Sequence, residues 1–280
     1  ALASLRRIPC HIFLSNGAEL PETSIIIPSY KRDDSLRDCL ESIWRQDYQD
    51  SEIIVIGEEG ELAKLRNKGA RQAKGKYLVF VDDDVAAYAG WLSSLVRTFK
   101  EDSRIGGVSG PAHITREYRR NRDIFSIRWA KFIYDILFCC GQSHLPGHIT
   151  RAGAWTTGAS RESCSYDGEV HFLEACNMAF RADVFNECGG FDESYLGIGD
   201  WSEPDLAFRV HKAGYKLWFS RDACLEHRPS KSGAFKKRSS DSRNRMANYE
   251  LFSSRWIKPC FKHTLYKWFI GAYYAFKSLG

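Results

Sequence analysis

The sequence predicts an α/β fold in which helices flank a mostly parallel central sheet. Short runs of β-branched and aromatic residues occur at 24–28, 52–56, 77–81 and 105–108. Such runs are typical of strands buried on both faces. Apolar residues at helical spacing lie between the runs. Because strand and helix alternate along the chain, the pattern favours βαβ units and a parallel sheet.

The first strand–helix unit begins at residues 24–28, where Pro28 ends the strand. A polar loop follows, and Asp34 or Ser35 is placed to cap the next helix. That helix is predicted to reach about Gln46, since apolar residues recur through it at helical spacing. The second strand, 52–56, ends at Gly57-Glu58, and a helix over 62–73 leads to the third strand.

The third strand, 77–81, runs directly into Asp82, Asp83 and Asp84. Carboxylates at the edge of a core repel one another, so the arrangement is costly unless a cation or hydrogen-bond donors hold them. A solvated acidic turn is the alternative. In parallel sheets, ligands bind beyond the carboxyl ends of the strands. This rule places Tyr30, Glu58 and the three acids on one rim and predicts a binding site there.

Composition and charge narrow the class of protein. The 280 residues are 44% hydrophobic and 27% charged, which indicates a folded globular chain. A net charge of +5 permits an anionic ligand or membrane surface, but 35 interspersed acids lead us to expect no nucleic-acid partner. The nine cysteines form no CxxC pair, so we expect free thiols in a reducing, cytoplasmic environment. We expect neither a signal peptide nor a membrane-spanning helix.

Several motifs together resemble family 2 glycosyltransferases with the GT-A fold. The resemblance covers roughly residues 23–228, and its motifs occur in the family's order. They are IIIPSYKR (25–32), LRNKGA (65–70), AKGKY (73–77), NMAFR (177–181), GGFDE (189–193), EPDLAFR (203–209) and AGYK (213–216).

The resemblance implies a domain organisation and an activity. Residues 1–22 are an N-terminal arm, 23–228 form the GT-A domain, and 229–280 form a basic loop and an aromatic C-terminal extension. Residues 111–172 carry the fewest family motifs and are expected on the acceptor side. The implied activity is inverting, metal-dependent transfer of a sugar from a nucleoside-diphosphate sugar, a UDP- or GDP-sugar, to a hydroxyl acceptor.

The resemblance also assigns the donor and metal residues. Asp82 is expected to bind the donor's ribose, and Asp84 to bind Mn²⁺ or Mg²⁺, hard cations that prefer carboxylate oxygen. His227 falls where some family members bring a histidine to the metal, although a lone histidine is more often structural. Asp83 is expected to support the loop and is also predicted as a donor-binding residue.

The nucleotide is expected to lie over Pro28 and Tyr30, near Arg32 of the same loop. Glu58 stands where the family usually has Asp-Asp, and it can still accept a hydrogen bond from a base. Arg66 either reaches the nucleotide or stabilises the rim.

The general base is expected at the start of the last motif helix. Family members place an acid there that deprotonates the acceptor hydroxyl, and Glu203 occupies this position, with Asp200 as a nearby substitute. Alternatively, Glu203 only stabilises the N-terminus of its helix. Trp201 beside it either stacks on a sugar ring or belongs to the core.

A candidate amphipathic helix lies in the acceptor-side region. It either packs on the domain or lies in a membrane interface. Together with the aromatic C-terminus, it favours peripheral contact with the cytoplasmic membrane face and a glycan or lipid-linked glycan acceptor. Its apolar positions are Phe125, Trp129, Phe132, Ile133, Ile136 and Leu137.

Three other functions are compatible with part of this pattern. A dehalogenase-like phosphatase also begins with Asp-x-Asp after a strand, but near its N-terminus. A sugar nucleotidylyltransferase carries a Gly-rich loop, which does not follow Ile27 here. A degenerate sugar-nucleotide-binding or scaffold protein stays open because Gly57-Glu58 and Glu203 depart from the family pattern.

Overall fold

A computed structural model describes residues 11–13, 20–30, 33–114, 128–156, 158, 164–229 and 241–278. Arg32 and Phe125 therefore lie outside the described residues. Within these ranges the strands form two sheets. The larger contains β1 (His11–Phe13), β2 (Thr23–Pro28), β3 (Ser51–Ile56), β4 (Tyr77–Val81), β6 (Ile105–Ser109), β8 (Gly168–Glu169), β9 (Asn177–Arg181) and β10 (Lys216–Phe219); the smaller contains β5 (Val85–Ala87), β7 (Ala112–His113) and β11 (Leu225–His227).

Helices surround the sheets. They are α1 (Asp33–Trp44), α2 (Leu62–Gln72), α3 (Trp91–Glu101), α4 (Arg128–Tyr134), α5 (Ala182–Glu187), α6 (Ser202–Lys212), α7 (Ser242–Trp256) and α8 (Phe261–Ser278). A π-helical turn, Asp135–Cys139, continues α4 directly. No helix in the described part of the chain is long and apolar enough to cross a membrane.

The predicted α/β fold is confirmed, with a mixed central sheet. Its strand order is β1-β3-β2-β4-β9-β6-β10-β8. The parallel pairs are β2 with β3, β2 with β4, and β6 with β10. β9 lies antiparallel between β4 and β6, while β1 and β8 are antiparallel edge strands. Periodicity does not reveal the direction of β9, because four of its five residues are buried, whichever way the strand runs.

Alternation along the central strands builds a core on each face of the sheet. Ile25 and Ile27 of β2 join the cluster covered by α1 and α3. Ile26 joins the opposite cluster, which α2, α5 and α6 cover. Successive strand side chains point to opposite faces, so a strand that is apolar at every position fills both layers.

An aromatic cluster lies apart from these two layers. Trp201 at the start of α6 packs with Tyr249 and Phe252 of α7. Tyr134 of α4 and Tyr266 of α8 belong to the same cluster. The C-terminal helices therefore pack on the acceptor-side region and on α6. The division of the chain at residue 229 stays a prediction.

Gly69 allows α2 to approach β2 closely. A Cβ atom at this position would lie 2.3 Å from Ile26 Cγ2, which is too short for two non-bonded carbon atoms. Because Ile26 is completely buried, its side chain has little room to move. This approach fixes α2, and with it Arg66, against the sheet.

We expect Gly69→Ala to destabilise the fold. Overpacking of this kind costs about 1–3 kcal/mol, which outweighs the ~1 kcal/mol that alanine gains over glycine in a helix. Urea unfolding followed by circular dichroism measures the change. Gly57→Ala is the control, since its nearest neighbour to an added Cβ is Ser29 O at 3.9 Å. Equal midpoints for the two variants would contradict the packing account.

Candidate active site

The carboxyl ends of β2, β3 and β4 meet at one edge of the sheet because these strands are parallel. Asp82, Asp83 and Asp84 follow β4 at that edge. The small sheet brings His227 to the same place: in the β5–β11 pair, His227 lies opposite Val85, the residue after the three acids. A backbone hydrogen bond from Arg228 N to Asp84 O, 2.8 Å long, fixes the approach.

Asp82, Asp84 and His227 form a cluster that fits a divalent cation. One ligand atom from each residue lies within 4.8 Å of the others. Asp84 is buried, and its Oδ1 is 3.3 Å from His227 Nε2. Two carboxylates and one imidazole suit Mn²⁺ or Mg²⁺, with carboxylate oxygens as the preferred ligands. The structure therefore brings together the residues that the resemblance assigned to the metal and the ribose.

His227 couples metal binding to protons. Burial lowers the pKa of His227, but Cys176 and Asp84 act in the opposite direction and hold it well above its ordinary value. A raised pKa means that a proton competes more strongly with a cation for the imidazole. A metal must displace this proton, so its affinity falls as the pH falls.

Asp83 has a different environment from its neighbours. It is completely buried, and Ser29 Oγ donates a 2.6 Å hydrogen bond to its Oδ2. This contact joins the ends of β2 and β4, as expected for a residue that supports the loop. Its place among the donor-binding residues stays a prediction.

Arg66 contacts both Asp82 of the Asp82–Asp84–His227 cluster and Glu203, the predicted base. Its side chain is 1% exposed, with NH1 2.5 Å from Glu203 Oε1 and NH2 3.6 Å from Asp82 Oδ1. NH2 also donates to Ala175 O at 2.9 Å. A buried charge is stable only when it is paired and hydrogen-bonded, and these three oxygens meet that need.

Glu203 lies in the first turn of α6 and is buried. Burial raises the pKa of its carboxyl above the ordinary value, while the charge of Arg66 and its hydrogen bond act in the opposite direction. Desolvation is the larger effect. Glu203 thus lies at a helix N-terminus and contacts the buried guanidinium of Arg66. Its role as base stays a prediction.

Asp200, the predicted substitute base, forms an ion pair. Arg245 of α7 places its Nε 2.5 Å from Asp200 Oδ2. The Arg245 guanidinium also lies 4.2 Å from the centre of the Tyr274 ring on α8. The Asp200 carboxylate is therefore tied to the C-terminal helices, which distinguishes its surroundings from those of Glu203.

A cavity of about 360 Å³ lies between these groups. Acids, arginines and aromatic rings all contribute to its lining. Trp201 lines the cavity, but it is only 6% exposed and packs in the aromatic core cluster. The lining side chains include Arg66, Asp82, Glu174, Asp200, Glu203, Arg245, Trp155, Phe172, Trp201 and Tyr274.

The sequence also matches a known protein family. Residues 24–59 and 57–189 match the model of Glycosyl transferase family 2. The chain belongs to this family. It is a glycosyltransferase.

Related proteins resemble this family 2 member at low identity. A glucosyl-dolichyl phosphate glucuronosyltransferase of Haloferax volcanii is 20% identical over 244 residues, 74% of this chain and 69% of that protein. The mannosyltransferase PcManGT of Pyrobaculum calidifontis, in complex with GDP-Man and Mn²⁺, has a TM-score of 0.55 at 17% identity, covering 93% of this chain and 74% of that one. GalNAc-T7 with UDP, GalNAc and Mn²⁺ has a TM-score of 0.58 at 14% identity, covering 86% and 49%. The two structures confirm the GT-A fold.

The nucleotide side of this glycosyltransferase is only partly assembled from the predicted residues. Pro28 is buried at the end of β2, and Tyr30 is half-buried just beyond it. Glu58 is exposed and forms an ion pair with Lys68. Arg32 is among the residues that the structure does not describe. The base contact assigned to Glu58 therefore stays a prediction.

Glu174 is a cavity residue that the sequence analysis missed. Burial raises its pKa to about 7, with opposing effects from His227, which lowers it, and Glu203, which raises it. Its backbone is fixed by Ser109, whose Oγ accepts from Glu174 N and donates to Asn177 O. The one available signal was an acid three residues before the NMAFR motif, in otherwise apolar surroundings.

We expect Asp84→Asn to weaken Mn²⁺ binding by at least about tenfold, because the affinity of a hard cation depends on its charged oxygen ligands. Electron paramagnetic resonance of free Mn²⁺ measures the affinity directly, without substrate. Glu58→Gln is the matched control, since it removes an acid from the same rim but outside the cluster. Equal Mn²⁺ affinities for Asp84→Asn and the control would rule out this site.

Proposed function

We propose that this glycosyltransferase moves a sugar, with inversion, from a UDP- or GDP-sugar to a hydroxyl of a glycan or lipid-linked glycan, and that it depends on Mn²⁺ or Mg²⁺. The observation that carries the proposal is the contact of Arg66 with both Asp82 and Glu203. Both acids line the same cavity, which supports a site where the acid proposed to bind the donor lies near the proposed base. A transferase needs this proximity, because donor and acceptor must meet in a single site.

The relatives support the donor and acceptor classes. The two structures of similar fold contain GDP-Man or UDP together with Mn²⁺. The Haloferax volcanii relative is named for a sugar-carrying dolichyl phosphate. A nucleoside-diphosphate donor and a lipid-linked acceptor are therefore the first substrates to test.

The donor lies with its ribose against Asp82 and its base beyond Pro28 and Tyr30. Asp84 and His227 hold the cation, which when bound neutralises negative charge on the departing diphosphate. Asp83 keeps the loop in place through Ser29. These residues bind and orient the donor, and none of them needs to form a covalent bond with the sugar.

The acceptor enters the cavity that Glu203 and the aromatic side chains line. Glu203 takes the proton of the acceptor hydroxyl, and the oxygen attacks the anomeric carbon as the bond to the diphosphate breaks on the opposite face. A carboxylate has two oxygens, so Glu203 can bind Arg66 with one and accept a proton on the other. A raised pKa makes it a stronger base once it is ionised.

Two observations support the proposed location, a cytoplasmic membrane face. All eight cysteines in the described part of the chain are free thiols, as expected in a reducing compartment. Large apolar side chains on α4 and α8 are exposed, which suits peripheral contact with a membrane.

We expect Glu203→Gln to lower kcat by about 10²–10⁴-fold, the usual contribution of general base catalysis. The amide cannot accept the proton, but it keeps the size of the side chain. Transfer from radiolabelled UDP- and GDP-sugars measures the rate, and calorimetry with the nucleoside diphosphate checks that donor binding is retained. Glu101→Gln, on the exposed end of α3, is the control.

The pH profile of the same variants adds a second readout. Because the folded-state pKa of Glu203 is raised, the acidic limb of kcat/KM for the unchanged enzyme lies above the ordinary glutamate range. Activity rises with pH through this limb as Glu203 loses its proton. The residual activity of Glu203→Gln lacks the limb. Full activity in this variant, or an unchanged acidic limb, would overturn the base assignment.

A further inference from the structure

Large apolar side chains are exposed on two neighbouring helices. The described chain contains eleven exposed large apolar side chains, and eight of them lie on α4 with its π-helical turn and on α8. Soluble monomers rarely concentrate exposed apolar groups in this way. We name this surface the aromatic face; its residues are Trp129, Phe132, Ile133, Ile136, Leu137, Phe261, Leu265 and Trp268.

The aromatic face is distinct from the packing surface of the same helices. Tyr134 and Phe138 point inward and contact Tyr266 and Phe269 of α8, with ring centroids 5.1–6.3 Å apart. Each helix therefore already has an apolar partner. The exposed residues recur at spacings of three and four, so each helix carries a second apolar stripe.

Exposed lysines near the face favour a lipid bilayer as the partner, while Lys267 of α8 pairs with Glu250 of α7. The α8 sequence contains no acid, and Lys262 on it and Lys258 just before it are exposed. Protein–protein interfaces are depleted in lysine, whereas anionic lipid surfaces attract it. Tryptophan, present at Trp129 and Trp268, is enriched at membrane–water interfaces. Asp135, the acid in the π-helical turn, accepts a hydrogen bond from Ser143 N.

The helices must lie along the bilayer surface, since no helix of the described chain can cross it. An amphipathic helix with lysines beside an apolar face binds in this orientation. In this orientation the exposed large side chains enter the headgroup region, and lysines near the aromatic face contact anionic headgroups.

The aromatic face lies close to the cavity. Tyr274 of α8 lines the cavity and accepts a hydrogen bond from Trp201 Nε1 at 3.1 Å. Trp268 lies six residues earlier on the same helix, a rise of about 9 Å along the helix axis. One helix thus contributes both to the cavity wall and to the aromatic face.

We propose that the aromatic face docks this protein in the plane of an anionic lipid bilayer and holds the cavity beside the membrane surface. This deepens the proposed function, because it brings the site to lipid-linked acceptors. Docking itself requires neither donor nor acceptor, so it is tested separately from catalysis.

Vesicle flotation of the full chain tests the proposal. Vesicles of phosphatidylcholine with phosphatidylglycerol are compared with phosphatidylcholine alone. We expect binding to the anionic vesicles, and a loss of at least about tenfold in the variant Trp129→Ser/Phe132→Ser/Trp268→Ser, since apolar burial drives interfacial binding. The three side chains are 65–78% exposed, so the fold, checked by circular dichroism, is expected to persist.

Two further variants sharpen the result. Leu20→Ser/Tyr88→Ser removes exposed apolar groups elsewhere and is expected to bind as the unchanged protein does. Lys258→Glu/Lys262→Glu is expected to lose the preference for anionic vesicles.

The proposal is wrong if the unchanged protein stays unbound with anionic vesicles, or if the triple variant binds them equally well. A dimer in sedimentation velocity that the triple variant abolishes would show instead that a second copy covers the face. Donor hydrolysis in vesicle-free solution reports on the proposed function independently, so failure of docking is distinguishable from failure of catalysis.

Discussion

The buried guanidinium of Arg66 joins the two halves of the site. It belongs to α2, between β3 and β4, and it contacts Glu203 of α6 from the second half of the chain. Removing one partner of a buried ion pair leaves an uncompensated charge, which typically costs about 3–5 kcal/mol. Gly69 lets α2, the helix that carries Arg66, lie close against β2. Backbone packing therefore determines where the charged groups meet.

The other parts of the site are placed by secondary structure that surrounds this pair. The small sheet carries His227 to Asp84, and the backbone of Glu174 is fixed by Ser109 and Asn177. The C-terminal helices add Arg245 and Tyr274 to the cavity wall, and some of their aromatic residues are buried in the cluster that contains Trp201 of the α6 N-terminus. Helices α7 and α8 thus both line the cavity, and α8 also carries part of the exposed aromatic face. A change in their packing is expected to alter both the cavity and the exposed aromatic face.

The sequence was most informative where a strand is buried on both faces. β2, β3 and β4 appear as continuous apolar runs, and their parallel order places Tyr30 and the Asp82–Asp84 acids at one edge. Contacts between distant segments were not predictable: the ion pair of Asp200 with Arg245 depends on how α7 packs, and periodicity does not encode that. The stripe from Trp129 to Leu137 was correctly predicted as one helical face. Whether it faced the core or the surface depended on α8, which packs on the opposite side.

A double-mutant cycle on Arg66 and Glu203 tests the central claim most directly. Arg66→Met and Glu203→Gln remove the charges singly, and the double variant removes both; chemical unfolding gives the free energy of each. If the buried pair joins the two halves, the double variant loses less stability than the two single changes together, with a coupling energy of roughly 1–3 kcal/mol. Losses that add to within about 0.5 kcal/mol would contradict the claim, since independent sites behave in that way.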